Sequence, residues 1–270
     1  MTKGEKAGAM LSEDVVLEEA ARWGIEPLSF VLRRLDVEEP GIAIAADRYL
    51  YPASMLKTPL ALAVLERVAQ GGARFEDRLD VTPANMTPND LDSPLVPGYR
   101  ASIDELLDLM ITRSDNVATN MFYDLLGRTQ ASALMCARFG LHATQFHRKL
   151  SGALPLIEDA QWDGVHRNMH SASDAAHVFE AIARTRVPFA WKIHRLLMEQ
   201  RWNNKLPGGL APGDTFAHKT GDTDEVTHDG GILYTASGAA YVIVVYTGME
   251  STEANNGKFV PFMRALRQHL

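Results

Sequence analysis

The sequence predicts an α+β fold: one antiparallel sheet flanked by terminal helices, with an all-helical lobe beside it. Three observations carry this. Strand-like segments rich in β-branched and aromatic residues sit near both ends of the chain. Between them, apolar residues recur at helical spacing. The final stretch is amphipathic, with Phe259, Phe262, Met263, Leu266 and Leu270 on one face.

Taken in order, residues 1–11 read as a loose tail. Ser12 to Trp23 reads as a helix, with Val16, Ala20 and Trp23 on one face and Gly24 as its stop. Leu28 to Arg34 is a strand, and Gly41 to Ala45 is its hairpin partner across Glu38-Glu39-Pro40. Leu60 to Val68 (LALAVLERV) has almost no polar interruption and predicts a buried helix. Gly71-Gly72 ends it, and residues 73–100 are loop-rich, with four prolines from Pro83 to Pro97. Ser102, with Glu105 three later, predicts a capping box opening a helix through Ile111. Further helices are expected over Asn116–Leu126, ended by Gly127, and over about 130–138. Residues 141–167 look irregular, and a loop of that length in a compact domain points to function. Ser171 or Ser173 caps a helix through Ala183, and Trp191 to Trp202 forms another. Ala217–Gly221 is a strand, and Gly231–Thr235 with Ala239–Thr247 a hairpin. The whole suits one domain of two interleaved parts: residues 12–50 with 210–270 as the α/β lobe, and 51–209 as the helical lobe.

The 270 residues carry 34 acids against 27 bases, a net charge of −7 with no basic run. This balance excludes nucleic acid or an anionic membrane as the main partner. No apolar run is long enough to span a bilayer. The first ten residues lack an apolar centre, so they are not a signal peptide. The expected location is cytoplasmic, or periplasmic or secreted if the chain was trimmed. The expected assembly is a monomer or weak dimer. Cys136 is the only cysteine, which excludes an intrachain disulfide, and it reads as a small core residue. His142, His147, His166, His170 and His177 cluster in and after the loop. His166 and His170 have metal-compatible spacing, but the pattern around them is irregular and no third ligand matches. The reading is no metal and no cofactor.

The chemistry is carried by Ser54-Met-Leu-Lys57, ahead of the apolar helix. Serine and lysine three apart share a helix face. Burial favours a neutral amine able to take the serine proton. The helix N-terminus supplies free N–H groups and a positive dipole end for an oxyanion. Alone, Ser-x-x-Lys is common by chance. Two further triplets change its weight: Ser114-Asp115-Asn116 between two helices, and Lys219-Thr220-Gly221 on a strand.

With all three triplets in this order, the chain resembles class A serine β-lactamases and their penicillin-binding DD-peptidase relatives over residues 25–270. Asn120, the run Leu206-Pro-Gly-Gly-Leu210 and the run His228-Asp-Gly-Gly-Ile-Leu233 add to the likeness. The resemblance implies that Ser54 attacks a β-lactam or peptide-like carbonyl and that Lys57 shares in its activation. It implies an oxyanion hole from the backbone N–H groups of Ser54 and Asp222. Ser114 would pass a proton to the leaving nitrogen, and Asn116 would bind the substrate's side-chain amide. Lys219, Thr220 and Gly221 would form the substrate-binding strand, with Lys219 and Thr220 holding a carboxylate. One departure stands out. Where the family has a loop glutamate and an asparagine four residues on, this chain has Leu150 and Leu154. Glu158 is then the candidate deacylation acid, and Asp163 with Arg148 the candidate loop brace. The sequence therefore supports a serine acyl hydrolase, an acyl-trapping sensor, or an amidase or esterase of another substrate.

Overall fold

The computed structural model describes residues 11–270 except Glu39. The expected tail, Leu11 apart, and the middle of the Glu-Glu-Pro turn lie outside the described residues. The chain runs α1 (Glu13–Trp23), β1 (Leu28–Arg34), β2 (Ile42–Ile44), α2 (Lys57–Ala69), β3 (Arg78–Asp80), β4 (Arg100–Ser102), α3 (Ile103–Thr112), α4 (Asn116–Leu126) and α5 (Arg128–Phe139). It continues through α6 (Ala172–Ala183), α7 (Ala190–Met198), β5 (Thr215–Asp222), β6 (Thr227–Tyr234), β7 (Ala240–Thr247), α8 (Glu253–Gly257) and α9 (Phe259–Arg267). Among the described residues no helix is long and apolar enough to cross a membrane.

Five strands form an antiparallel sheet in the order β2-β1-β7-β6-β5. Successive strand side chains point to opposite faces, and here both faces are covered. Val31, Val242 and Val244 pack toward the helical lobe, whereas Phe30, Leu32, Ile243 and Val245 pack against α1 and α9. That is why β7 is apolar nearly throughout rather than alternating. Helix α2 is buried on every side from Lys57 to Glu66, which explains its unbroken apolar run.

The caps follow the sequence. Ser12 Oγ accepts from Val15 N, and Gly24 ends α1 with φ +62°. Ser171, not Ser173, caps α6. At α3 only half the expected capping box forms. Ser102 Oγ accepts from Glu105 N at 3.1 Å, but the Glu105 carboxylate is taken by Tyr99 OH at 2.8 Å.

Four expectations are corrected. Helix α7 stops at Met198 rather than Trp202, because buried Gln200 turns back to bond Ile111 O and Arg201 N. Strand β6 begins at Thr227 rather than Gly231. Thr227, His228 and Asp229 are polar yet fully buried, each hydrogen-bonded across the sheet or to the segments that pack on it. The short strands β3 and β4 pair within the loop-rich stretch. Cys136 is exposed rather than in the core, with Sγ 3.3 Å from His142 Nδ1.

Candidate active site

Ser54 lies in a 3₁₀ turn, Ala53–Leu56, that leads directly into α2. Ala53 holds φ at +47°, an unusual value for a residue with a Cβ. Such strain costs roughly 1–3 kcal/mol and is retained where the surroundings enforce it. Ser54 is half-buried while every residue from Met55 to Glu66 is buried, so its hydroxyl is the one reactive group of this run at a surface. It opens into a cavity of about 390 Å³ shared with Ser114, Thr220 and Asp222.

The edge strand β5 passes close against the Ser54 turn. A Cβ on Gly221 would lie 2.9 Å from Pro52 O and 3.2 Å from Ala53 Cβ. The turn is also tied to the sheet by His228, whose Nε2 lies 2.8 Å from Tyr51 O. His228 Nδ1 accepts from Thr247 N at 3.1 Å, so Nε2 carries the proton and donates. Burial brings the His228 pKa down to about 4, and the ring is neutral.

The strand register orients the Asp222 amide. Thr223 N bonds Val226 O, making that pair a bonded rung of the β5–β6 ladder. Bonded and non-bonded pairs alternate, so the Asp222 N–H faces away from β6, along the unpaired edge. Ser54 N–H lies in a first helical turn, where amides lack helical partners. Both expected oxyanion donors are therefore free of ladder bonds.

Beneath the cavity Lys57 is fully buried. Its Nζ lies 2.5 Å from Ser114 O, 2.7 Å from Asn116 Oδ1 and 3.1 Å from Ser114 Oγ. No hydrogen bond joins Lys57 Nζ to Ser54 Oγ among these contacts. Burial, reinforced by Lys219, drives the Lys57 pKa well below the usual lysine range. Lys57 Nζ donates toward all three oxygens; a neutral amine would keep two of these bonds and turn its lone pair to the third, Ser114 Oγ–H. Lys219, also fully buried, donates to Ser114 Oγ at 3.0 Å and to Thr220 O at 2.9 Å. Burial lowers its pKa to about 7, with Lys205 adding to the effect and Asp222 opposing it. Ser114 thus joins two lysines through one hydroxyl, on a backbone held at φ +61°.

The loop between α5 and α6 departs from expectation. Leu150 is 6% exposed in the helical core, with its N and O bonded to the Asn120 side chain at 2.7 and 3.0 Å. Leu154 is 82% exposed. Glu158 is not at the Ser54 cavity. It lines a separate cleft of about 610 Å³ with Asp124, Lys149 and Asp159, because Asp159 behind it is drawn inward by Arg128. That buried Arg128–Asp159 pair, not Asp163 with Arg148, braces the loop. Asp163 instead bonds His166, and Arg148 lies over the Trp162 ring. The histidines are dispersed: His147 stacks on His166, and His170 is buried against Thr144. Among the described residues no three His, Cys, Asp or Glu side chains assemble as a metal-binding set.

Several site residues had no motif to announce them. Asn89 accepts from Asn116 N at 2.6 Å and donates to Asp115 Oδ2 at 3.2 Å, fixing the Ser114 loop. Lys205, 1% exposed, bonds Asp222 Oδ1 at 2.6 Å. Burial opposes ionisation of Asp222, yet Lys205 and its hydrogen bonds hold that carboxyl below the usual range. Asp90, Trp202, Asn204, Ser251 and Asn256 are among the other residues of the cavity wall. A Pro-Asn-Asp sequence at 88–90 signals a loop and no more.

Comparison with known proteins gives the family and the fold. The chain is 24% identical to β-lactamase VEB-1 of Pseudomonas aeruginosa over 237 residues, 81% of this chain and 77% of that protein. Its fold is similar to that of PBP-A (24% identity, TM-score 0.80, 95% of each chain). It is also similar to that of an ancestral class A β-lactamase (22% identity, TM-score 0.81, 95% of this chain and 99% of that one). The model of the beta-lactamase enzyme family matches residues 16–266, and the chain, a serine β-lactamase-like hydrolase by family and fold, belongs to that family.

Proposed function

We propose that the protein opens β-lactams or related amides and esters through an acyl-enzyme on Ser54, and that it releases the acyl group slowly. The observation that supports this most is the hydrogen-bonded path Lys57–Ser114–Lys219 beneath an accessible serine. Ser54 Oγ attacks the carbonyl carbon and its proton passes to the Lys57 amine, toward which the hydroxyl turns about Cα–Cβ once substrate is bound. The oxyanion is met by the N–H groups of Ser54 and Asp222. As the C–N bond breaks, Ser114 Oγ gives its proton to the leaving nitrogen and is reprotonated from Lys57. Asn116 binds the side-chain amide. Lys219 and Thr220, with Gly221 keeping the strand close, hold the carboxylate.

Slow release is supported by the loop. Its contribution to the cavity is Gly152, which has no side chain, while Leu150 lies in the core and Glu158 in another cleft. Nothing there can orient a water against the ester. PBP-A has been solved as a leucine-to-glutamate mutant in an acyl-enzyme complex with penicillin G. Intact-mass spectrometry after mixing with penicillin G tests the proposal. The expected result is a persistent one-to-one adduct that Ser54→Ala abolishes. No adduct, or labelling that survives Ser54→Ala, removes the nucleophile assignment.

The pH dependence follows from Lys219. With its pKa near 7, the ammonium is present below that value and lost above it, so affinity for an anionic substrate falls as pH rises through 7. On the acid side protonation of Lys57 removes the base. The second-order acylation rate should be bell-shaped with its alkaline limb near pH 7. In Lys219→Arg, whose guanidinium stays charged, that limb should disappear.

A further inference from the structure

We infer that the Ser54 cavity selects acyl substrates carrying an ammonium group beside the side-chain amide, with Asp90 as its partner. This rests on the reading of Ser54 as the acylated nucleophile.

Two carboxylates line the cavity, Asp90 and Asp222, and they are not equivalent. Asp222 Oδ1 accepts from Lys205 at 2.6 Å, Ser251 at 2.6 Å and Thr227 at 3.1 Å, and buried Lys205 offsets its charge. Asp90 makes no hydrogen bond and no ion pair among the described residues. Its loop is nonetheless fixed. Asn116 N donates to Asn89 Oδ1 at 2.6 Å and Asn116 Nδ2 to Pro88 O at 3.2 Å, so Asp90 sits next to the segment that holds Asn116. An ammonium one carbon from an amide held by Asn116 lies on the Asp90 side.

A second, independent feature points to a ligand with charge of the other sign. Thr220 is 2% exposed and lines the cavity, yet its hydroxyl has no partner among the described residues. Lys219 lies fully buried next to it. The cavity is therefore dipolar, with a donor end at Thr220 and Lys219 and an acceptor end at Asp90. A zwitterion satisfies both ends, whereas a simple anion leaves Asp90 unmatched and facing like charge.

Ampicillin and penicillin G form the matched pair for the test, since they differ by one amino group beside the side-chain amide. Asp90 is exposed, so the expected effect is modest: ampicillin acylates Ser54 about fivefold faster at low ionic strength. That advantage should vanish in Asp90→Asn, and shrink at about 0.5 M salt, where screening acts within a few ångströms. Rates are read as adduct growth by intact-mass spectrometry. Circular dichroism, with Asp90→Ser as a second variant, separates lost charge from lost folding. Equal rates in the native chain, or an advantage that survives both variants, overturn the inference while leaving Ser54 acylation standing. No adduct with either penicillin overturns the reading of Ser54 and this inference with it.

Discussion

Replacing Lys57 with methionine is expected to slow acylation of Ser54 by penicillin G about 10³-fold, within the range usual for loss of a general base. The side chain is fully buried, bonds Ser114 and is the proposed base. Methionine fills similar space without the amine, and no other described group bonds Ser114 O. The variant should remain folded. It escapes the penalty of burying an amine, although Ser114 O and Asn116 Oδ1 each lose a donor. Adduct growth by mass spectrometry measures the rate, and thermal unfolding followed by circular dichroism checks the fold. Acylation within tenfold of the native rate would remove Lys57 from the mechanism.

Introducing a carboxylate at Leu150 should have the opposite signature, leaving acylation in place and shortening the life of the adduct. A general base at that position is expected to accelerate release about 10²–10⁴-fold. The backbone there is already held by Asn120 through two hydrogen bonds, so the new side chain starts from a fixed Cα. The site is 6% exposed, and a carboxylate in it loses solvation. The expected accompaniment is a lower melting temperature and a carboxyl pKa shifted upward. Penicillin G hydrolysis by Leu150→Glu, followed by absorbance, is the check. A folded variant whose adduct persists unchanged would show that release is limited by something other than the missing acid.

The sequence was most informative where function and local structure use the same residues. Ser54, Ser114 and Lys219 stand in short motifs; the first two fall at element boundaries and the third within β5, where the flanking pattern predicts them. Caps such as Ser12 and Ser102 were readable because their bonds reach three residues along the chain. The misses share a physical cause, which is that their partners are distant in sequence. Asp159 is drawn inward by Arg128, on another helix, and this carries Glu158 into the wrong cleft. The start of β6 looked like loop because Thr227, His228 and Asp229 are polar. Their hydrogen bonds come from Asn256, Tyr51 and His218. Cys136 was misplaced because an apolar stretch identifies a helix without saying which side of it faces water.

Gly221 sets a clearance. Main chain from one end of the sequence and main chain from the other meet there with no room for a single extra carbon. The two amides proposed to cradle the oxyanion belong to these two segments, and their separation is defined by a missing methyl group. The closeness that the chemistry requires is thus permitted by an absent side chain, while the His228–Tyr51 hydrogen bond holds the two segments in place.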